Sequence, residues 1–322
     1  MTFPRLRSLL LCAAVAASAV LASCGGGSVV EPFNPTRIVS FGDAFSDVGQ
    51  SGNRYTVNDG LVNVWVQQFT TRYGLSLTAQ SAAGTGYAQG NVRVKAKPDV
   101  TGNSTRLSIE EQVSAYLTSG LRKTDLLVIN GGISDIIAET VNTSQSQAQR
   151  LANVQQAGRD LATQVARLLD AGARYVVLVG VYDLRITPWA VSIGQGGANS
   201  ELSNLSLRFN EAAQLPLVDR GRSLLYIDSA NYFNLLFNQP GSFGINGTQG
   251  GPYTPVCTAT ASGDSGIGIS ASAHVSSRVC TTGTLVPGID YNTTLFADPV
   301  YPAPRAHRLF GDFAYDRARS IF

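Results

Sequence analysis

The sequence runs to 322 residues, 44% of them apolar and only 14% charged, which is chain enough for one large core or two small ones. With 24 basic residues against 22 acidic ones, the near balance argues for no nucleic-acid or other electrostatic partner. The abundance of Gly, Ser, Thr and Asn suits an exported protein better than a cytosolic one.

The N-terminus carries the first specific signal. Arg5 and Arg7 precede an apolar run from Leu9 to Ala22, too short to span a bilayer comfortably and shaped like a signal peptide. The run ends in Leu21-Ala22-Ser23-Cys24, followed by Gly25-Gly26-Gly27-Ser28. This order resembles the bacterial lipobox, whose cysteine is lipidated and becomes the first residue of the mature chain. An ordinary signal peptide beside a chance cysteine is the alternative. On the lipobox reading residues 1–23 are the signal, acyl chains on Cys24 anchor the protein to a membrane, and residues 24–35 are a flexible tether. Gly25 after the cysteine points to the outer membrane, facing periplasm or cell surface, as bacterial lipoproteins imply. Losing Arg5 and Arg7 leaves 22 basic against 22 acidic residues. Cys12 leaves with the signal, so Cys257 and Cys280 remain in a compartment that permits a disulfide. That bridge would contribute roughly 3 kcal/mol by closing its loop; two free thiols are the alternative. Neither cysteine has the company that a metal site needs.

Beyond the tether, strand and helix patterns alternate. Arg37 to Phe41 reads as a strand running into Gly42-Asp43-Ala44-Phe45-Ser46-Asp47-Val48-Gly49, a tight turn opening a helix. Val62 to Tyr73 carries apolar residues at helical spacing and stops at Gly74. Ser108-Ile109-Glu110-Glu111 is a capping box. Leu126 to Ile129 is a continuous apolar run, expected for a strand buried on both faces. Residues 144–170 read as a long helix ended by Gly172, and Tyr175 to Val181 as a buried strand. A helix over Asn199 to Leu217, a strand over Leu224 to Ile227, a helix over Ala230 to Asn238 and a last helix from Pro304 complete the series. The alternation predicts an α/β three-layer sandwich with a mostly parallel sheet. Residues 239–296, rich in Gly, Ser and Thr, read as a long insertion pinned by the disulfide. The expected domain therefore spans 36–322. Ligand sites in such sheets lie beyond the C-terminal strand ends, where Ala44 and Gly131-Gly132-Ile133-Ser134-Asp135 stand.

Four blocks stand in order. The first is Gly42 to Gly49. The second is Gly86-Tyr87-Ala88-Gln89-Gly90-Asn91, and the third Gly132-Ile133-Ser134-Asp135. The fourth is Asp298-Pro299-Val300-Tyr301-Pro302, followed by His307. Together they resemble the GDSL or SGNH hydrolases, esterases, lipases and acylhydrolases of flavodoxin-like fold, over Arg37 to Phe322. It implies that a serine attacks an ester carbonyl, a histidine takes its proton, an aspartate orients the histidine, and backbone N–H groups with an asparagine hold the oxyanion. Here the nucleophile position is Ala44, the oxyanion asparagine is replaced by Ser134, and the base position is Tyr301, whose phenol is a poor base at neutral pH. Gly90 and Asp298 match, so the sequence is expected to keep two backbone donors and the orienting carboxylate.

Substitutes are few. Ser46 is expected to be a cap or turn hydroxyl. His307, more than a helical turn from Tyr301, is expected to pack, and His274 to lie in a surface loop. Asp43 and Asp47 are expected to be acids at a helix N-terminus, and Asp135 to brace its turn. The leading expectation is a membrane-anchored, non-hydrolytic pseudoenzyme holding an acyl or glycan component of the envelope, with no cofactor. The alternatives are an active esterase or lipase with a rearranged nucleophile and base, and a structural envelope protein with a vestigial cleft.

Overall fold

A computed structural model of the protein describes residues 33–61, 64–246, 253–269 and 272–322. The expected signal 1–23, Cys24 and most of the expected tether lie outside the described residues.

Short apolar runs make the sheet. Strands β1 (Arg37–Phe41), β2 (Asp125–Asn130), β3 (Val176–Val179) and β4 (Leu224–Ile227) lie side by side in that order, all parallel. In the register, Ser40 faces Val128, Val128 faces Val177, and Val177 faces Leu225. Every residue of β2 and β3 is buried, so both read as unbroken apolar runs rather than alternating ones. Beyond β1 the chain at 85–87 adds a partial neighbour. The Ser40 N–H donates to the Thr85 carbonyl at 3.1 Å, and the Tyr87 N–H to the Ser40 carbonyl at 2.7 Å. That pairing carries the second block alongside the first.

Parallel neighbours need long crossovers, which helices supply. These are α1 (Trp65–Arg72), α2 (Ile109–Ser119), α3 (Ile133–Val141), α4 (Gln147–Asp170), α5 (Pro188–Ser192), α6 (Glu201–Gln214), α7 (Ser229–Asn238) and α8 (Pro304–Ile321). Helices α2, α3, α4 and α6 pack together, and α1, α7 and α8 form a second group. With β2 and β3 buried on both faces, the two groups cover one face each, which is the α/β three-layer sandwich expected.

Local signals set most boundaries. The Ser108 hydroxyl accepts from the Glu111 N–H while the Glu111 carboxylate accepts from the Ser108 N–H, so the capping box forms. The long helix starts at Gln147 rather than 144, because the Ser146 hydroxyl caps the Gln149 N–H. Helix α6 stops at Gln214 rather than 217; Pro216 has no N–H to continue the ladder, and residues 215–220 tighten into a 3-10 turn. The third block, read only as a strand end, goes straight into α3 after Gly132 at φ 110°.

The insertion is organised differently. The Cys257–Cys280 disulfide forms, and two-residue strands β5 (Thr260–Ala261) and β6 (His274–Val275) pair antiparallel inside its loop. Both cysteines sit in a small apolar cluster with Val57, Val256, Ile289, Ala297 and Ala303. Among the described residues no helix is long and apolar enough to cross a membrane.

Candidate active site

The turn after β1 is held by polar side chains that the fold buries. Gln112 on α2 brackets Gly42: its Oε1 accepts from the Gly42 N–H at 2.9 Å, and its Nε2 donates to the Gly42 carbonyl at 3.0 Å. Gly42 is required there, since a Cβ would come within 2.0 Å of Asn130 Oδ1. Asp43 caps the 3-10 turn over 44–46 by accepting from the Phe45 N–H at 3.1 Å. It also accepts from Asn130 Nδ2 at 2.9 Å and the Ile133 N–H at 3.2 Å. One carboxylate thus ties β1, β2 and α3 together. Its burial pushes its pKa up to about 6, against the pull of those donors.

Ala44 opens that turn with 1% of its surface exposed. Phe45 turns inward onto Trp65, Tyr182, Phe233, His307 and Phe310, at ring separations from 5.4 to 5.9 Å. Ser46 is neither a cap nor a turn hydroxyl, as the sequence suggested; its Oγ accepts from Trp65 Nε1 at 3.0 Å, because the indole needs a partner once buried. His307 packs, as expected. Its Nδ1 accepts from the Trp65 N–H at 3.2 Å, and burial lowers its pKa to about 3. His274 accepts the Ile267 N–H on Nε2 at 2.9 Å, which leaves Nδ1 protonated toward the Ser272 carbonyl at 3.2 Å. In this arrangement both imidazoles are engaged by backbone groups, and among the described hydrogen bonds neither reaches a hydroxyl.

The oxyanion side is altered too. Asp47 accepts from the Gly49 and Gln50 N–H groups at 2.8 and 2.9 Å through Oδ1, and from the Gly90 N–H at 2.7 Å through Oδ2. The expectation that Gly90 offers a free donor is therefore corrected, because its N–H is taken up by a carboxylate. Asp47 acts as more than an acid at a helix start; it joins the first block to the second. Tyr55 packs on Gly90 so closely that a Cβ there would meet the phenol oxygen at 2.1 Å. Ser134, in the first turn of α3, is fully buried and its hydroxyl has no hydrogen-bond partner. Asp135 braces a neighbouring loop, accepting from the Val94 N–H at 2.9 Å and from Arg93 Nε at 3.2 Å.

Tyr301 stands where the resemblance implies a base. It is fully buried, stands edge-on to Tyr55 at 5.2 Å, and its hydroxyl has no partner. Burial, then the charge of Asp43, raises its pKa well above that of an ordinary phenol. Asp298 is committed on both oxygens. Oδ1 accepts from the Val300 and Tyr301 N–H groups at 2.8 and 2.7 Å; Oδ2 accepts the N–H of Ser277 at 2.8 Å and its hydroxyl. Burial raises the Asp298 pKa while these donors hold it down. Ser277 and Tyr55 escaped the sequence reading because each meets the site from a distant part of the chain with no local pattern. Among the described residues no group of three or more His, Cys, Asp or Glu is placed to hold a metal ion.

Gly90 is joined to Tyr301 through the ring of Tyr55, and Tyr301 to Asp298 through its backbone N–H, while the Ser134 hydroxyl meets none of them. A profile of GDSL-like lipases and acylhydrolases matches residues 38–313. The chain belongs to that family. Lipase 1 of Photorhabdus luminescens is 31% identical over 173 residues, which is 50% of this chain and 25% of that protein; the match spans about a quarter of the relative's length. One solved crystal structure aligns over 61% of this chain and 84% of its own at 16% identity, with a TM-score of 0.33. The four-stranded parallel sheet with its helices is consistent with the SGNH-hydrolase fold. Within that GDSL framework the aspartates of the first block have architectural duties, and the positions that the resemblance assigns to nucleophile, oxyanion amide and base hold Ala44, Ser134 and Tyr301.

Proposed function

We infer that this GDSL-family chain is a non-hydrolytic pseudoenzyme of the bacterial cell envelope, anchored through a lipid at Cys24. The observation that carries the reading is the buried methyl of Ala44 at the nucleophile position. Its surroundings agree. The phenol of Tyr301 is too weak a base, the Gly90 N–H serves Asp47, and Asp298 has no oxygen left to orient a base. The anchoring half rests on the charged start, the apolar run and Leu21-Ala22-Ser23-Cys24 before a glycine tether. An acyl or glycan envelope component is the ligand class such a retained fold would hold. The family match and the lipase relative favour a second reading, an active ester hydrolase with a rearranged nucleophile.

Hydrolysis of a short-chain nitrophenyl ester, run beside labelling by a serine-directed fluorophosphonate, separates the two. The expected result is no label and no turnover above about a thousand-fold over water, the residue that binding and an oxyanion hole leave when a triad is gone. Labelling at one serine with ordinary esterase rates would establish the second reading.

A further inference from the structure

The disulfide loop does more than decorate the domain. Its described residues, 257–269 and 272–280, are tied to residues on both sides of the centre, to Asn91 beside Gly90 and to Asp298 beside Tyr301. On the oxyanion side, Asn91, next to Gly90 and fully buried, donates through Nδ2 to the Gly266 carbonyl at 3.0 Å. Arg106 Nη2 donates to the Asp264 carbonyl at 3.2 Å, and Asn103 Nδ2 to the Asp264 carboxylate at 3.1 Å. On the triad side, Asp298 takes both the N–H and the hydroxyl of Ser277. Asn58 closes the third side. Its N–H donates to the Cys280 carbonyl at 3.0 Å, and its Nδ2 faces the carbonyls of Ser277 at 3.1 Å and Cys280 at 3.2 Å. Beneath these ties lie Tyr55, Gly90 and Tyr301, all buried.

We propose that residues 257–269 and 272–280 form a strap over the former catalytic centre, that Ser277 on Asp298 is its latch, and that the centre opens when the latch is released. Three features set the strap apart from the sheet it covers. It is held chiefly by hydrogen bonds to loops rather than by strands of the main sheet. It encloses only two-residue strands. Apart from the disulfide, which sits in a small apolar cluster, Ile267 is the only large apolar side chain it buries fully among the described residues. Segments with few apolar contacts open at lower cost than the core they lie on, so the strap can lift while β1 to β4 stay paired. The latch also explains the state of Asp298: the carboxylate that orients a base in the family is here turned over to holding the strap. The proposal rests on reading this network as the remnant of a hydrolase centre. Amide exchange reads closure and the ester assay reads chemistry, so the two ideas fail separately.

Hydrogen exchange on the full chain, followed by mass spectrometry, tests it. Ser277→Ala removes the hydroxyl and keeps the backbone bond. Cys257→Ser with Cys280→Ser frees the ends, and reductant on the unaltered chain repeats that release without substitution. The expected result is exchange about tenfold faster over 86–92 and 298–303 in Ser277→Ala and in reductant, with 125–130 and 176–179 unchanged. Unchanged exchange over 86–92 in Ser277→Ala overturns the latch. An equal rise in the strands overturns the strap, because the loop would then be part of one cooperative core. Failure of the double cysteine variant to fold overturns the strap in the same way if reductant also exposes the strands.

Discussion

The turn after β1 and the disulfide loop meet at one centre but are built by opposite means. The turn grows out of a buried strand. Phe45 enters an aromatic nest, Gly42 is clamped by Gln112, and Asp43 joins three elements. The loop buries one large side chain, Ile267, beside its disulfide, and is fastened mainly by side chains reaching across from Asn58, Asn91, Asn103, Arg106 and Asp298. Apolar burial is non-directional and collective, so the turn has many partial supports. Hydrogen bonds are directional and few, and leaving a buried one unmade costs more than making it gains. The lesson is that the two halves of this centre should fail differently, the turn with the whole fold and the loop by itself.

The largest test of that contrast is Phe45→Ala. Emptying a fully buried ring that touches five others is expected to cost about 3–5 kcal/mol, read as a lower urea midpoint with an unchanged slope. A loss under about 1 kcal/mol would mean the nest is not what holds the turn.

Next in size is a pH effect carried by His307. Its folded pKa lies near 3 against an ordinary 6.5, so the native state keeps it neutral. Its contribution is complete above pH 6.5 and is lost as the pH falls from 6.5 toward 3, because the unfolded chain binds the proton first. At pH 4.5 that loss is about 3 kcal/mol. Asp43 works in the opposite sense: with its folded pKa raised to about 6, proton uptake by the native state adds stability as the pH falls from 6 to 4. His307→Gln keeps an acceptor for the Trp65 N–H and removes the titration. Between pH 7 and 4.5 the variant should therefore gain about 3 kcal/mol relative to the unaltered chain. Parallel stability curves over that range would contradict the buried, neutral imidazole.

The smallest expected effect lies on the other side of the comparison. Asn58→Ala removes the amide that faces the strap carbonyls and should cost about 1–2 kcal/mol. The cost should appear as faster proteolysis or exchange within 257–285 before it appears in the global midpoint. Should the global midpoint fall first, the loop and the core would form one cooperative unit.

Much of this was legible in the sequence, for physical reasons. Strands β2 and β3 are buried on both faces, so their apolar runs stand out, and Leu224–Ile227 matches residue for residue. Ser108-x-x-Glu111 announces its helix because both partners of the cap lie within one turn. The disulfide pair was set by counting cysteines. Block order alone put Ala44 in the turn after β1 and Tyr301 beside Asp298, where the structure has them. Other features could not be read. Helix α3 hides because Gly131-Gly132 looks like a loop until the sheet positions it. Gly90 appeared to offer a free donor because Asp47, which consumes it, is 43 residues away. Ser277 on Asp298 and Tyr55 on Gly90 are contacts between irregular segments, and no period or spacing encodes them. Ser46 looked like a cap because local chemistry favours caps; a buried indole 19 residues on overrode the local choice.

The pair of hydrogen bonds between Gln112 and both backbone groups of Gly42 has a wider consequence. A side-chain amide there plays the part of a neighbouring strand, so the bend keeps its shape with no help from the residue at 44. Gly42 is dictated by its approach to Asn130, Asp43 by the three elements it joins, Ser46 by an indole and Asp47 by Gly90. Each of these letters is masonry, and the side chain at 44 bears none of that load. On the proposed reading a lineage can therefore change the residue at 44 without the wall falling, and the block goes on looking like that of a working hydrolase. Sequence likeness across this stretch measures inheritance of a bend, and the chemistry has to be read from one side chain within it.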